Sequence, residues 1–254
     1  MHSSSLSSSI LKKGSWLVLG AGVSGRAALA FLKKQNINAF IADDKTKENN
    51  TNINLSSNKK AVESLRENNI IGLIVSPSIP PSHPALIAAK QLRISAYSEI
   101  DLALSSFTGK VIGVTGTNGK STTVALIHHL LKKAGHPAEI AGNYGPPASQ
   151  VVSNIHNKET ILILELSSYQ LFHSCLKKID VSLFINFAHD HLDFHKTMKD
   201  YFLAKWKIQE LTSPTGLFLC SKQVEEKSVV FSNKKNNIKT LVIDPDALTS
   251  SDTK

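Results

Sequence analysis

Residues 111 to 123 read VIGVTGTNGKSTT. An apolar run breaks into Gly116-Thr117-Asn118-Gly119-Lys120-Ser121-Thr122, and a helix is predicted over 120–134. A strand that ends in a glycine turn and opens a helix can hold phosphates. Its backbone N–H groups cradle the anion, Lys120 can reach the β- and γ-phosphates, and the Ser121 hydroxyl can ligate Mg²⁺. Strict Walker A spacing asks for a glycine at 114; the chain has Val114, and Gly113 lies one residue too far away. The strand–turn–helix context carries the reading, a P-loop-type nucleotide site.

A second glycine turn lies upstream. WLVLG at 16–20 predicts a buried strand, 24–34 a helix with apolar residues at helical spacing, and NAFIAD at 38–43 a further strand. Strand, helix and strand in so short a span make a βαβ unit, so the sheet is expected to be parallel. The turn between strand and helix is Gly20-Ala21-Gly22-Val23-Ser24-Gly25, a complete GxGxxG, and Asp43 ends the next strand. Such glycines let backbone N–H groups approach a diphosphate at a helix N-terminus, with the acid placed for a ribose. The pattern favours NAD or FAD and leaves open another diphosphate nucleotide such as a UDP-sugar.

Further along, 45–60 reads as an exposed polar loop, 70–77 as a strand and 84–91 as a helix. Ser-Ser-Phe-Thr-Gly at 105–109 marks a domain boundary, giving domains at 1–106 and 107–254. The alternation then restarts. ILILELSS at 161–168 and VSLFINF at 181–187 are predicted strands and 198–210 a helix, while GLFLC, SVVFS and TLVIDP read as strand-like pieces. The expected fold class is α/β, a Rossmann-like parallel-sheet domain followed by an incomplete P-loop-type ATPase domain.

The chain has 254 residues, 41% of them hydrophobic, which suffices for a globular core. No stretch reaches the roughly 18 apolar residues of a membrane span. The Ser-rich start reads as a loose leader without the apolar core of a secretory signal. Two cysteines, Cys175 and Cys220, fit a reducing cytosol. The formal charge of +9 is scattered in pairs such as Lys132-Lys133, without aromatic interleaving, so it reads as a solvated basic surface and not a nucleic-acid site.

Three other features carry chemistry. Glu165 ends an apolar strand, where open α/β sheets place working residues, and a carboxylate there suits Mg²⁺. His189, Asp190, His191, Asp193 and His195 crowd the stretch after VSLFINF, as in a metal site or a solvated loop. Lys205 shares a helix face with Tyr201 and Ile208, either as a snorkelling surface lysine or as a functional one.

Together, LGAGVSGRAAL, TGTNGKST, AGNYGPPA at 141–148, ELSSYQL at 165–171 and DHLDFH with YFLAKWKI resemble the Mur ligases, over residues 14 to 210. ELSSYQL and the full GxGxSG turn point within that family to the branch acting on UDP-N-acetylmuramoyl-L-alanine and D-glutamate in peptidoglycan precursor synthesis. The resemblance implies a cytoplasmic ligase whose cofactors are ATP and Mg²⁺. It implies UDP-substrate contacts at Gly20, Gly22, Val23, Ser24, Gly25 and Asp43, with weaker ones at Ser167 and Gln170. ATP phosphates would meet Gly116, Thr117, Asn118, Gly119, Lys120, Ser121 and Thr122. Magnesium would be held by Ser121, Glu165 and His191. Asn143 would lie near the transferred phosphate, and Lys205 matches a lysine that is carbamylated in the family.

The chain departs from the family at Ser76-Pro77-Ser78-Ile79-Pro80, where Ser78 replaces a glycine, and in lacking the HNxxN helix, the Pro-His-Arg turn and the C-terminal domain. It is expected to correspond to the first half to two-thirds of a ligase, with a separate C-terminal ligase fragment as a partner. The alternatives are an inactive module that binds UDP-sugar and ATP, and an NAD-dependent oxidoreductase.

Overall fold

The computed structural model describes residues 6–43, 58–190, 195–232 and 238–244. The chain divides into two compact units. One takes Met1–Thr108, Pro146–His156 and His173–Leu176; the other takes Gly109–Gly145, Asn157–Phe172 and Lys177–Lys254.

In the first unit a short helix α1 (Ser8–Leu11) precedes strand β1 (Ser15–Leu19), whose five residues are all buried. Helix α2 (Val23–Lys34) buries Gly25, Ala28, Phe31 and Leu32, one face at helical spacing, and ends in Lys33 and Lys34, cations suited to a helix C-terminus. There follow β2 (Ala39–Ala42), α3 (Asn58–Glu67), β3 (Ile70–Val75) and α4 (Pro84–Gln91), which starts on a proline where no amide hydrogen is needed. Residues 58–60, read from the sequence as loop, form the first turn of α3. Strand β4 (Ser95–Ser98) leads into α5 (Glu99–Ser106) through a capping box between Ser98 and Asp101. The sheet is wholly parallel with order β2-β1-β3-β4. Leu17, Leu19, Leu73 and Val75 pack with Leu65 of α3 and Ala85, Ala88 and Ala89 of α4.

The second unit begins with β5 (Val111–Thr115), α6 (Lys120–Lys133) and β6 (Ala138–Gly142). Helix α7 (Ala148–Val152) belongs to the first unit. Strand β7 (Ile161–Glu165), helix α8 (Ser168–His173) and strand β8 (Ile179–Phe184) follow. Helix α9 (Met198–Leu211) runs into β9 (Thr212–Ser221), α10 (Lys222–Phe231) and β10 (Lys239–Ile243). SVVFS is therefore the end of a helix and not a strand. Ser221 caps that helix by accepting from Val224 N at 3.4 Å, and Val229 and Val230 are left exposed.

The six strands are parallel in the order β10-β9-β8-β5-β7-β6. Strand β5 is central: its successor β6 lies on one side beyond β7, and β8 lies on the other. The chain thus reverses its direction of winding about β5, and the crevice beyond the carboxyl ends of β5, β7 and β8 is where such sheets bind ligands. The first unit has the equivalent reversal between β1 and β3. Each glycine turn stands at one of these two points. Among the described residues, no helix is long and apolar enough to cross a membrane.

Candidate functional site

The second unit's site is built from the ends of three strands. Thr115 closes β5 and donates its hydroxyl to the Leu166 carbonyl at 2.7 Å, tying the start of the phosphate loop to the end of β7. The loop then reaches α6 through Gly119, the N-cap, at φ 75° and ψ 3°. That left-handed conformation favours glycine. Gly119 offers no side-chain cap, so the first-turn amides of α6, from Lys120 onward, stay open for an anion. Lys120 Nζ meanwhile folds back on its own loop, donating to Thr117 O at 2.9 Å.

Glu165 is buried at the end of β7. Its two oxygens are held separately: Ser121 Oγ donates to Oε2 and Asn143 Nδ2 to Oε1, each at 2.7 Å. Asn143 is itself fixed by its amide, which donates to Glu165 O at 2.9 Å. Sequence positions 121, 143 and 165 thus meet at one carboxylate. A carboxylate and a hydroxyl side by side are hard oxygen donors of the kind Mg²⁺ prefers, so the residues present fit that ion. His191 and Asp193 lie outside the described residues, and among the described ones no group of three or more His, Cys, Asp and Glu gathers as a metal cluster. His195, read from the sequence as part of such a cluster, is buried instead. Its Nε2 pairs with Ser168 Oγ at 2.9 Å, and its ring tilts against Tyr169 and Tyr201.

Lys205 is not a snorkelling surface lysine: only 1% of it is exposed. Its Nζ donates to Gly116 O at 2.6 Å and lies 4.9 Å from the Tyr201 ring centroid. Burial, with the Lys120 charge adding to it, pulls the Lys205 pKa down to about 7, against the partial support of Asp190 and Glu165. Ser167 and Gln170 serve each other. Ser167 N and Oγ donate to Gln170 Oε1 at 3.0 and 3.1 Å, and Gln170 N donates to Ser167 Oγ at 3.3 Å, which closes the start of α8.

Sequence reasoning missed Asn186, just beyond β8. Its Oδ1 accepts from Thr117 N at 3.1 Å and Asn118 N at 2.9 Å, and its Nδ2 donates to Asn118 O at 3.0 Å. The only signal was a polar residue near the end of the run VSLFINF, a weaker form of the one that marked Glu165.

In the first unit, Gly20 N donates to Ala42 O at 2.7 Å, and Ser76 Oγ donates to Gly20 O at 3.2 Å. Asp43 Oδ2 accepts from Ala21 N at 2.7 Å, so the acid proposed for a ribose already shapes the turn. Gly22 is exposed at the α2 N-cap, Val23 is exposed and Ser24 half-buried, which leaves this helix start accessible. Among the described residues, the non-glycine residues at positive φ are Asn36, Asn69 and Arg93, so Ser78 holds the glycine's place with ordinary backbone.

A parallel α/β sheet with a phosphate loop at its reversal point, faced by a strand-end carboxylate, defines a P-loop-type nucleotide-binding unit. The chain belongs to the Mur ligase family, since residues 114–251 match the Mur ligase middle domain. It is 41% identical over 211 residues to the UDP-N-acetylmuramoylalanine–D-glutamate ligase of Leptospira interrogans, covering 83% of this chain and 44% of that protein. The enzyme of the same name from Aquifex aeolicus is 38% identical over 199 residues, covering 77% of this chain and 44% of that one. The chain thus spans less than half the length of these relatives. A solved structure, the UDP-N-acetylmuramate:L-alanyl-gamma-D-glutamyl-meso-diaminopimelate ligase from Neisseria meningitides, matches at TM-score 0.55 and 14% identity, over 90% of this chain and 77% of that one. At that identity the likeness is one of fold.

Proposed function

We propose that the chain carries the UDP-substrate and ATP-binding portions of an ATP-dependent ligase that joins D-glutamate to UDP-N-acetylmuramoyl-L-alanine. One observation carries the reading: Ser121, Asn143 and Glu165 meet beside the phosphate loop, with a buried lysine against that loop. An NAD-dependent oxidoreductase has no use for this set.

In this reading residues 1–106 hold the UDP-sugar, with its diphosphate at the α2 N-terminus, and residues 107–254 hold ATP. A carboxylate is a poor acyl donor, and the γ-phosphoryl of ATP converts it to an acyl phosphate. The D-glutamate amine then attacks the acyl carbon, an amide forms, and ADP and phosphate leave. The α6 N-terminus and Lys120 neutralise the phosphates, and Asn143 holds the Glu165 carboxylate facing Ser121. Ser121, Glu165 and His191 would hold Mg²⁺, which when bound supplies positive charge to the phosphoryl oxygens. Lys205, neutral above about pH 7, can take up CO₂ through Nζ as a carbamate with loss of a proton, turning a neutral amine into an anion. The D-glutamate site and closure over ATP are assigned to the part of the relatives that lies beyond the matched residues.

Calorimetry tests the reading. UDP-N-acetylmuramoyl-L-alanine and Mg·ATP should each bind and NAD should not; binding of NAD with no response to the UDP-sugar would overturn it. Lys120→Ala removes a charge-assisted contact of about 1.5–3 kcal/mol. It should therefore weaken Mg·ATP by about tenfold to a hundredfold and leave the UDP-sugar unaffected. Equal losses at both sites would argue for general unfolding instead.

A further inference from the structure

The phosphate loop has two halves with different hydrogen-bonding. Its outer half, Thr117-Asn118, is engaged by the chain leaving β8. Thr117 N is shared between Asn186 O and Asn186 Oδ1, both at 3.1 Å, and Asn118 N donates to Asn186 Oδ1 at 2.9 Å. Asn186 Nδ2 returns a bond to Asn118 O at 3.0 Å, and Ala188 N donates to Thr117 Oγ1 at 3.0 Å. Thr117 is buried. The inner half, Gly119 to Thr122, forms the N-cap and first turn of α6, with Gly119, Ser121 and Thr122 exposed. An amide that already donates to a carboxamide is not available to a phosphate, whereas first-turn helix amides lack an intrahelical acceptor.

We infer that Asn186 is a positioning residue that fixes the outer half of the loop, so that the polyphosphate is received by the amides of Gly119 to Thr122 and not by those of Thr117 and Asn118. The inference rests on the nucleotide reading of the loop and sharpens it. Asn186 does not touch the phosphates; it sets the loop in its binding shape beforehand, which removes an ordering cost from nucleotide binding. Its amide is suited to this because it offers an acceptor and a donor on one planar group, matching the N–H and C=O of Asn118.

Amide hydrogen exchange by NMR on the nucleotide-free protein tests the clamp without reference to ATP. The Asn118 amide should exchange slowly in the wild type and about tenfold faster in Asn186→Ala, with Val111–Thr115 unchanged. Thr117 should be affected less, because the residue 186 backbone carbonyl still accepts from it. Asn186→Asp keeps the acceptor and loses the donor, so Asn118 should stay protected. That variant should nevertheless bind Mg·ATP about tenfold more weakly, because it adds a negative charge beside the phosphates. In the wild type, Mg·ATP should shift the Gly119–Thr122 amides and leave Asn118 in place. An Asn118 amide that exchanges equally fast with and without the Asn186 side chain would overturn the clamp. An Asn118 amide that responds to Mg·ATP as strongly as Ser121 would overturn the division of the loop. Silence of Gly119–Thr122 towards Mg·ATP would overturn the nucleotide reading, while the exchange rates still judge the clamp separately.

Discussion

Gly25→Ala should destabilise the first unit by about 3 kcal/mol or more and remove its affinity for the UDP-sugar, an effect at the upper end of overpacking costs. A Cβ at 25 would lie far inside van der Waals contact distance of the Gly20 carbonyl oxygen and stand 3.0 Å from Ser76 Oγ. Both neighbours are fixed. Gly20 is held by its bond to Ala42 O and by Ser76 Oγ, and Ser76 N donates to Leu19 O at 2.9 Å. Either α2 lifts off the sheet or the turn unwinds, and the helix N-terminus then no longer faces the diphosphate. Gly22→Ala supplies the contrast. A Cβ there meets nothing within 4 Å, and the backbone, at φ −69°, accepts any residue. The fold does not require that glycine; in the proposed reading it lets the diphosphate approach the backbone. Gly22→Ala should keep wild-type stability and still bind the UDP-sugar about tenfold more weakly. Chemical denaturation beside calorimetry reads both. Unimpaired binding in Gly22→Ala would leave the ligand explanation without support.

This pair of glycines shows what a sequence can and cannot disclose. The motif fixes the strand–turn–helix, because only a glycine lets α2 pass so close to the Gly20 carbonyl. It does not say which glycine serves the fold and which the ligand. The second turn was legible despite its spacing, since strand and helix flank it. Gly113 proves to be a strand residue facing Ile179 and takes no part in the loop. What stayed hidden depended on distant partners. Ser167 and Gln170 are a local exception: they bond each other at the start of α8, and nothing in the residues says whether they also meet substrate. Asn186 acts on residues 68 and 69 positions away. SVVFS misled for the opposite reason: a short apolar run resembles a strand, and the Ser221 cap that makes it a helix lies ten residues before its end at Phe231.

In CO₂-free buffer near pH 7, Lys205→Met should make the protein more stable while removing the amine on which the proposed carbamate would form. The helix spacing put Lys205 on the face of Tyr201 and Ile208, and the fold buries that face completely. The folded chain holds Lys205 with a pKa of about 7, against about 10.5 in the unfolded chain. Between those values the unfolded state binds a proton that the folded state does not. Stability therefore falls as pH drops from about 10.5 to about 7 and levels off below. The full loss is on the order of 5 kcal/mol. Methionine removes it, and also removes the bond to Gly116 O, which costs about 1–3 kcal/mol if that carbonyl is left unpaired. The balance favours the variant by roughly 2–4 kcal/mol at pH 7, and the gain should vanish towards pH 10.5. Bicarbonate should stabilise the wild type above pH 7 by drawing the neutral amine into the carbamate, and should leave Lys205→Met unaltered. Thermal denaturation of both proteins across pH 6 to 10.5, with and without bicarbonate, measures this. A Lys205→Met variant less stable than the wild type throughout, in CO₂-free buffer, would show that the ammonium is well solvated or paired where it lies, and would remove the basis for carbamate formation.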